Sequence, residues 1–241
     1  MRLALAWGGS VDKTLGRTPA GLQFARVLLN AITLLLVACS RESAPSPTAA
    51  KRPTAARPLP KTPARPSGEL VARAKASQTA HKRSVRRSDI ITVIDLNRPS
   101  AEERLWVIDC AHGDRVLFQS RTSHAALSDD PKTHTATTCG NAIDSKLSSP
   151  GAYVTGKNLR EGKFGLSLEV DGLNRGVNDN ARKRAILFHT NRMPDGGTMG
   201  LSWGCFTVPV ERAGEVLNLI AGQTFVYVAA CEKSDGTATA P

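Results

Sequence analysis

The sequence predicts a mainly β domain over residues 89–241, a β-sandwich or barrel-like mixed sheet with one or two short helices. Three observations predict it. Short β-branched or alternating stretches recur throughout this region, one segment alone has a clear helical period, and the residues before 89 have a composition that resists folding. Residues 90–95 (IITVID) form a continuous β-branched run, and 105–109 (LWVID) and 116–120 (VLFQS) read as two further strands. Between them Cys110 to Asp114 is a short turn-type connector, which makes the pair a hairpin. Strands are also expected at 151–155, 165–170, 185–190 and 224–230. The helix follows Pro209, which suits a first helical turn. Val210, Ala213, Val216, Leu217 and Ile220 make its apolar face, and Gly222 stands just past its end.

The chain before residue 89 divides in two. Residues 40–88 hold twelve of the 32 Lys and Arg but only two of the 21 Asp and Glu, whereas 89–241 hold 16 basic and 18 acidic residues. The high net charge therefore belongs to an arm, which argues against a nucleic-acid-binding domain. Seven of the 14 prolines also lie in 40–88, with no Phe, Trp or Tyr. Such a segment buries too little to offset the entropy of ordering, so 39–88 is expected to be a disordered tether. Its cations either attract anionic envelope polymers or only keep a solvated spacer extended. Residues 1–38 read as a signal peptide. The apolar run from Val27 to Ala38 would span about 18 Å as a helix, short of a bilayer core of about 30 Å. Its end, Leu36-Val37-Ala38-Cys39, resembles a lipobox. That resemblance implies lipidation at Cys39, a membrane anchor and, with Ser40 next, export to the periplasmic face of the outer membrane.

Chemistry concentrates between Arg184 and Pro209. His189 ends an apolar strand, a glycine-rich loop (Gly196, Gly197, Gly200) follows, and then comes Ser202-Trp203-Gly204-Cys205. A thiol held as thiolate by a nearby imidazole is a strong nucleophile, and Gly204 lets the backbone turn so that amides face a developing oxyanion. A hydrogen-bonded core histidine is the bland alternative for His189.

Those four residues, with His189 before them, resemble the signature of the L,D-transpeptidase (YkuD-like) catalytic domain, in its murein L,D-transpeptidase branch. The resemblance extends through residues 151–157 (GAYVTGK), 165–173 (GLSLEVDGL) and 177–186 (VNDNARKRAI) and covers roughly 103–231. It implies a peptidoglycan acyltransferase with no cofactor and no metal. Cys205 would attack the third residue of a stem tetrapeptide, expel the terminal D-amino acid, and pass the acyl group to an amine, giving a 3–3 cross-link. His189 would serve as base and then acid, its ring oriented by a backbone carbonyl, with the amides of Trp203, Gly204 and Cys205 as the oxyanion hole. Transfer to water as an L,D-carboxypeptidase, cleavage of another wall amide, and a non-catalytic wall-binding lipoprotein are the alternatives. Papain-like peptidases place cysteine before histidine, the reverse of the order here.

Further contacts are left open. Trp203 either stacks on substrate or, more commonly for such a residue, packs beneath its loop. Ser202 donates to substrate or closes a turn, with the turn preferred. Arg182 and Arg184, expected on one side of the strand leading to His189, either grip a substrate carboxylate or pair with Asp171 or Asp179. Tyr153 is a further candidate contact. Phe206, Thr207, Thr190 and Trp203 depart from the family's commoner residues, which bears on substrate detail. Of the remaining cysteines, Cys110 and Cys231 are the pair considered for a disulfide, and a zinc site on His134 and Cys139 lacks paired ligand spacing. His81, His112 and His124 are expected at the surface.

Overall fold

A computed structural model describes residues 65–192 and 197–232. The first 64 residues, with the signal peptide, Cys39 and most of the expected tether, lie outside the described residues, as does Gly196. Among the described residues the fold is mainly β with two α-helices, as the sequence predicts. Nine strands form one mixed sheet: β1 (Arg87–Asp95), β2 (Leu105–Asp109), β3 (Arg115–Ser120), β4 (Gly151–Thr155), β5 (Arg160–Gly162), β6 (Gly165–Gly172), β7 (Leu187–Asn191), β8 (Phe206–Pro209) and β9 (Thr224–Ala229). The order is β3-β2-β1-β9-β4-β6-β7-β8, with β5 paired to β6. The β1–β9 and β7–β8 pairs are parallel and the rest antiparallel.

The sheet is covered on both faces, which is why its central strands read as unbroken apolar runs. On one face Ile90, Ile94, Val107, Leu168, Phe188, Phe206 and Val226 cluster with Ala213, Val216, Leu217 and Ile220 of α2 (Ala213–Ile220). The predicted apolar face of that helix is thus buried except for Val210, which sits in a preceding 3-10 turn and is half exposed. On the other face Ile91, Val93, Trp106, Ile108 and Phe225 meet Leu70 and Ala74 of α1 (Gly68–Ala80).

Helix α1 corrects the expected domain boundary. Residues 68–80 are a capped helix and a short turn leads from it into β1 at Arg87, so these residues are not tether and the folded domain begins near Ser67. Ser67 Oγ accepts the Leu70 N–H at 3.2 Å, satisfying one orphan donor of the first turn. Only Leu70 and Ala74, four apart, are fully buried, and burying Leu70 contributes about 2 kcal/mol. So narrow an apolar stripe disappears when its composition is averaged with the proline-rich, basic residues before it. Lys75 reaches Asp114 at 2.6 Å and Arg73 reaches Glu232 at 2.7 Å, but such solvent-facing pairs add little.

Two strands escape the sequence reading. Strand β5 is the exposed tripeptide Arg160–Gly162, with no apolar pattern at all. Strand β8 starts immediately after the candidate nucleophile and merges into the turn before α2. The disulfide also differs from the pair considered, Cys110 with Cys231: Cys139 is bonded to Cys231, with Cα atoms 6.0 Å apart. Topology explains this. Cys231 follows β9, whose end lies beside Asp95, while Cys110 follows Asp109, which pairs with Ile90 near the opposite end of β1. Cys110 keeps a free thiol that burial pushes up to about 11.

Candidate active site

The parallel β7–β8 pair positions the two candidate catalytic side chains. Phe188 pairs with Phe206 and both rings point into the core. Because side chains alternate, His189 on β7 and Cys205, the residue just before β8, project to the opposite face together. Their offset is two residues, about 7 Å along the strands. His189 Nδ1 lies 2.9 Å from the Thr190 carbonyl oxygen, an acceptor only, so Nδ1 carries the proton and Nε2 is left as the basic nitrogen. The resemblance anticipated such a carbonyl. Phe164 leans on the imidazole with ring centroids 5.0 Å apart.

The thiol itself is half-buried, and its Sγ faces the Ala185 carbonyl at 3.7 Å. Burial pushes the Cys205 thiol up, while the Leu187 backbone N–H and the Arg184 guanidinium pull it back toward the thiolate. Among the described residues no hydrogen bond joins Cys205 to His189. Catalytic hydrogen bonds commonly tighten only around substrate.

Gly204 is dictated by the turn. Its φ is +119°, and an added methyl would stand 2.7 Å from Ile186 Cδ1, 3.2 Å from Arg184 Nη2 and 3.3 Å from the Leu147 carbonyl oxygen. Its amide donates to Ser202 Oγ at 3.1 Å, so Gly204 is not the free oxyanion donor expected from sequence. The Trp203 and Cys205 amides have no acceptor among the described residues. Ser202 closes the turn, as preferred: Oγ also donates to the Cys205 carbonyl at 2.9 Å.

The other candidates separate cleanly. Trp203 does not pack beneath its loop; it is 69% exposed, with Lys146 Nζ 4.6 Å from its ring centroid. Tyr153 is fully buried, its hydroxyl donating to the Ser149 carbonyl at 2.8 Å, so it is a core residue and not a substrate contact. Arg182 and Arg184 sit in the turn before β7 rather than along a strand. Arg182 grips Asp171 through Nε (2.8 Å) and Nη2 (2.6 Å) and also pairs with Glu169, the structural alternative. Arg184 donates to the carbonyls of Gly140 (3.1 Å) and Leu147 and to Ser149 Oγ (2.7 Å).

Sequence reasoning missed the buttress of this loop. Residues 122–126 run beside 202–207: Ser202 N–H donates to the His124 carbonyl and Ala126 N–H to the Ser202 carbonyl, both at 2.8 Å. Thr207 N–H donates to Thr122 Oγ1 at 2.9 Å, and Ser123 N–H to Thr207 Oγ1 at 3.0 Å. His124, expected at the surface, is 1% exposed. Its Nδ1 accepts from Arg104 Nη2 at 2.7 Å and its Nε2 donates to Asp129 Oδ1 at 2.8 Å. Arg104, also buried, adds bonds to the Thr122 carbonyl (3.0 and 2.7 Å) and the Arg98 carbonyl (2.8 Å). Burial and then the Arg104 charge lower His124 to about 4, against the pull of Asp129, and burial lowers Arg104 to about 10. A polar run such as Thr122-Ser123-His124 carries no sequence signal of burial.

A family model of the L,D-transpeptidase catalytic domain, YkuD_2, matches residues 67–229, from the cap of α1 to the end of β9. Among solved structures, an L,D-transpeptidase from Mycobacterium smegmatis is 13% identical, with 59% of each chain covered and a TM-score of 0.34. One from Stackebrandtia nassauensis is 16% identical, covering 71% of this chain and 70% of that one, with a TM-score of 0.36. One from Xylanimonas cellulosilytica is 16% identical, covering 64% and 68%, with a TM-score of 0.32. The chain spans less than two thirds of the M. smegmatis structure. No curated protein matches the sequence.

Proposed function

Because the chain belongs to the L,D-transpeptidase catalytic domain family, we propose that it performs acyl transfer on peptidoglycan stem peptides through Cys205. The observation that carries this reading is the shared face of thiol and imidazole, with the Thr190 carbonyl fixing His189 so that Nε2 is the basic nitrogen. His189 takes the thiol proton, and the thiolate adds to the carbonyl carbon of the third stem residue. The Trp203 and Cys205 amides receive the oxyanion. Collapse breaks the C–N bond, His189 returns the proton to the leaving D-amino acid, and a thioester remains. An incoming amine then displaces the thiol, giving a 3–3 cross-link. The first 38 residues and Cys39 would export and lipidate the chain, holding the domain at the outer membrane on its basic arm.

The test incubates the full chain with tetrapeptide muropeptides, and separately with a carbapenem, followed by mass spectrometry. Cross-linked dimers and a carbapenem adduct on Cys205, lost in Cys205→Ala and weakened in His189→Ala, are expected. Tripeptide alone would assign the enzyme to hydrolysis. Neither product nor adduct would leave a wall-binding lipoprotein.

A further inference from the structure

Arg184 is held more firmly than a surface arginine needs to be, and it is held beneath the nucleophile loop. Three acceptors from one segment fix its fork: the Gly140 carbonyl, the Leu147 carbonyl and Ser149 Oγ. That segment is closed on itself, since Gly140 N–H donates to the Ser148 carbonyl at 3.0 Å and Ser149 Oγ donates back to the Gly140 carbonyl at 2.8 Å. It is also tied to the body of the domain at its start, because Cys139 is bonded to Cys231. None of the three acceptors is charged, so the guanidinium keeps its full positive charge. Glycine at 204 allows the nucleophile loop to lie against this cation, as the space beside its Cα is filled by Arg184 Nη2 and the Leu147 carbonyl. Arg182, two residues away, is by contrast neutralised by Asp171 and Glu169.

We propose that Arg184 is a positioning residue whose unneutralised guanidinium, seated against the loop of Cys205, stabilises the thiolate electrostatically. The proposal rests on Cys205 being the nucleophile and supplies what the resting geometry lacks, a cation against the residue that precedes a sulfur with no hydrogen bond to the imidazole. Burial alone would keep the thiol protonated. Arg184 and the Leu187 amide are the groups that oppose it.

The test reads the thiol rather than murein chemistry, so it stands apart from the fate of the proposed reaction. Alkylation of the full chain by iodoacetamide is followed at Cys205 across pH by peptide mass spectrometry, with free Cys110 as internal reference. Losing the charge in Arg184→Met or Arg184→Gln should raise the alkylation midpoint by about one pH unit and slow the reaction at pH 7 about tenfold. Arg184→Lys should restore most of the rate, and Cys110 should not respond. Arg184→Gln retains hydrogen-bonding capacity, so it carries the comparison with Arg184→Lys if Arg184→Met fails to fold. Equal midpoints in the Gln and wild-type proteins overturn the proposal. So does an Arg184→Lys protein as slow as Arg184→Gln at matched thermal stability, because the arginine is then only a brace.

Discussion

Cys139 is bonded to Cys231 across 92 positions of sequence, and the residue after Cys139 supplies a carbonyl that holds Arg184. The bond therefore closes a long loop and braces the segment that lies beneath the turn of Gly204 and Cys205. In the chain-entropy account such a loop contributes at most about 4–5 kcal/mol. Reduction, or the double replacement of Cys139 and Cys231 by Ser, should lower the urea midpoint by a corresponding amount and reduce turnover in the surviving folded fraction. Paired denaturation and activity curves with and without a reductant check this. Equal stability in both would mean that the loop is already ordered without the bond.

Leu70 tests the corrected boundary. Leu70→Ala removes a fully buried side chain from the cluster around Ile91, Trp106 and Phe225 and should destabilise by about 2–4 kcal/mol. A chain starting at residue 89 should unfold more readily than one starting at 65. Because α1 packs on β1 and β9 and not on the β7–β8 pair that positions His189 and Cys205, kcat of the folded Leu70→Ala protein should not change. Chemical denaturation and steady-state rates separate the two effects.

His124 gives the domain a direction of pH sensitivity. Its ordinary value of 6.5 falls to about 4 on folding, so between those limits the unfolded chain binds more protons than the native one. Stability should be complete above pH 6.5 and fall as pH drops toward 4, by roughly 3 kcal/mol. A charged His124 would face Arg104 directly, with Asp129 as its only close carboxylate among the described residues and His134 near that same carboxylate. Urea midpoints at pH 7, 5.5 and 4.5 should show the slope, and His124→Gln should flatten it.

Ser202→Ala removes two hydrogen bonds at once, the acceptor of the Gly204 N–H and the donor to the Cys205 carbonyl. A stability loss of about 1–2 kcal/mol is expected. The freed turn should also misplace the thiol and lower kcat about tenfold, with KM less affected. A kcat equal to wild type would show that the buttress of residues 122–126 alone fixes the loop.

The sequence made the sheet legible where burial is regular. Continuous β-branched runs mark β1 and β9 because both faces are covered, and Val216, Leu217 and Ile220 reveal α2 through their spacing. Helix α1 was hidden because two buried residues are enough for it and its neighbours are prolines and cations. At the candidate site, the motif singled out Cys205 and His189, which the β7–β8 pair places on neighbouring strands, and the Ser202 turn. It could not reveal the buttress, since Thr122, Ser123 and Thr207 act through bonds between segments far apart in the chain. Nor could it rank Arg182 against Arg184. The same residue type, two positions apart, is discharged by carboxylates in one case and left cationic among carbonyls in the other.

Two of the three atoms that seat Arg184 belong to the main chain, at Gly140 and Leu147. Side chains along 140–147 can therefore be exchanged widely while the grip persists, so long as the path of the backbone is kept. Relatives could share this cradle without sharing a recognisable string of letters there. Superposition of loop traces, rather than matching of residues, is the way to find it.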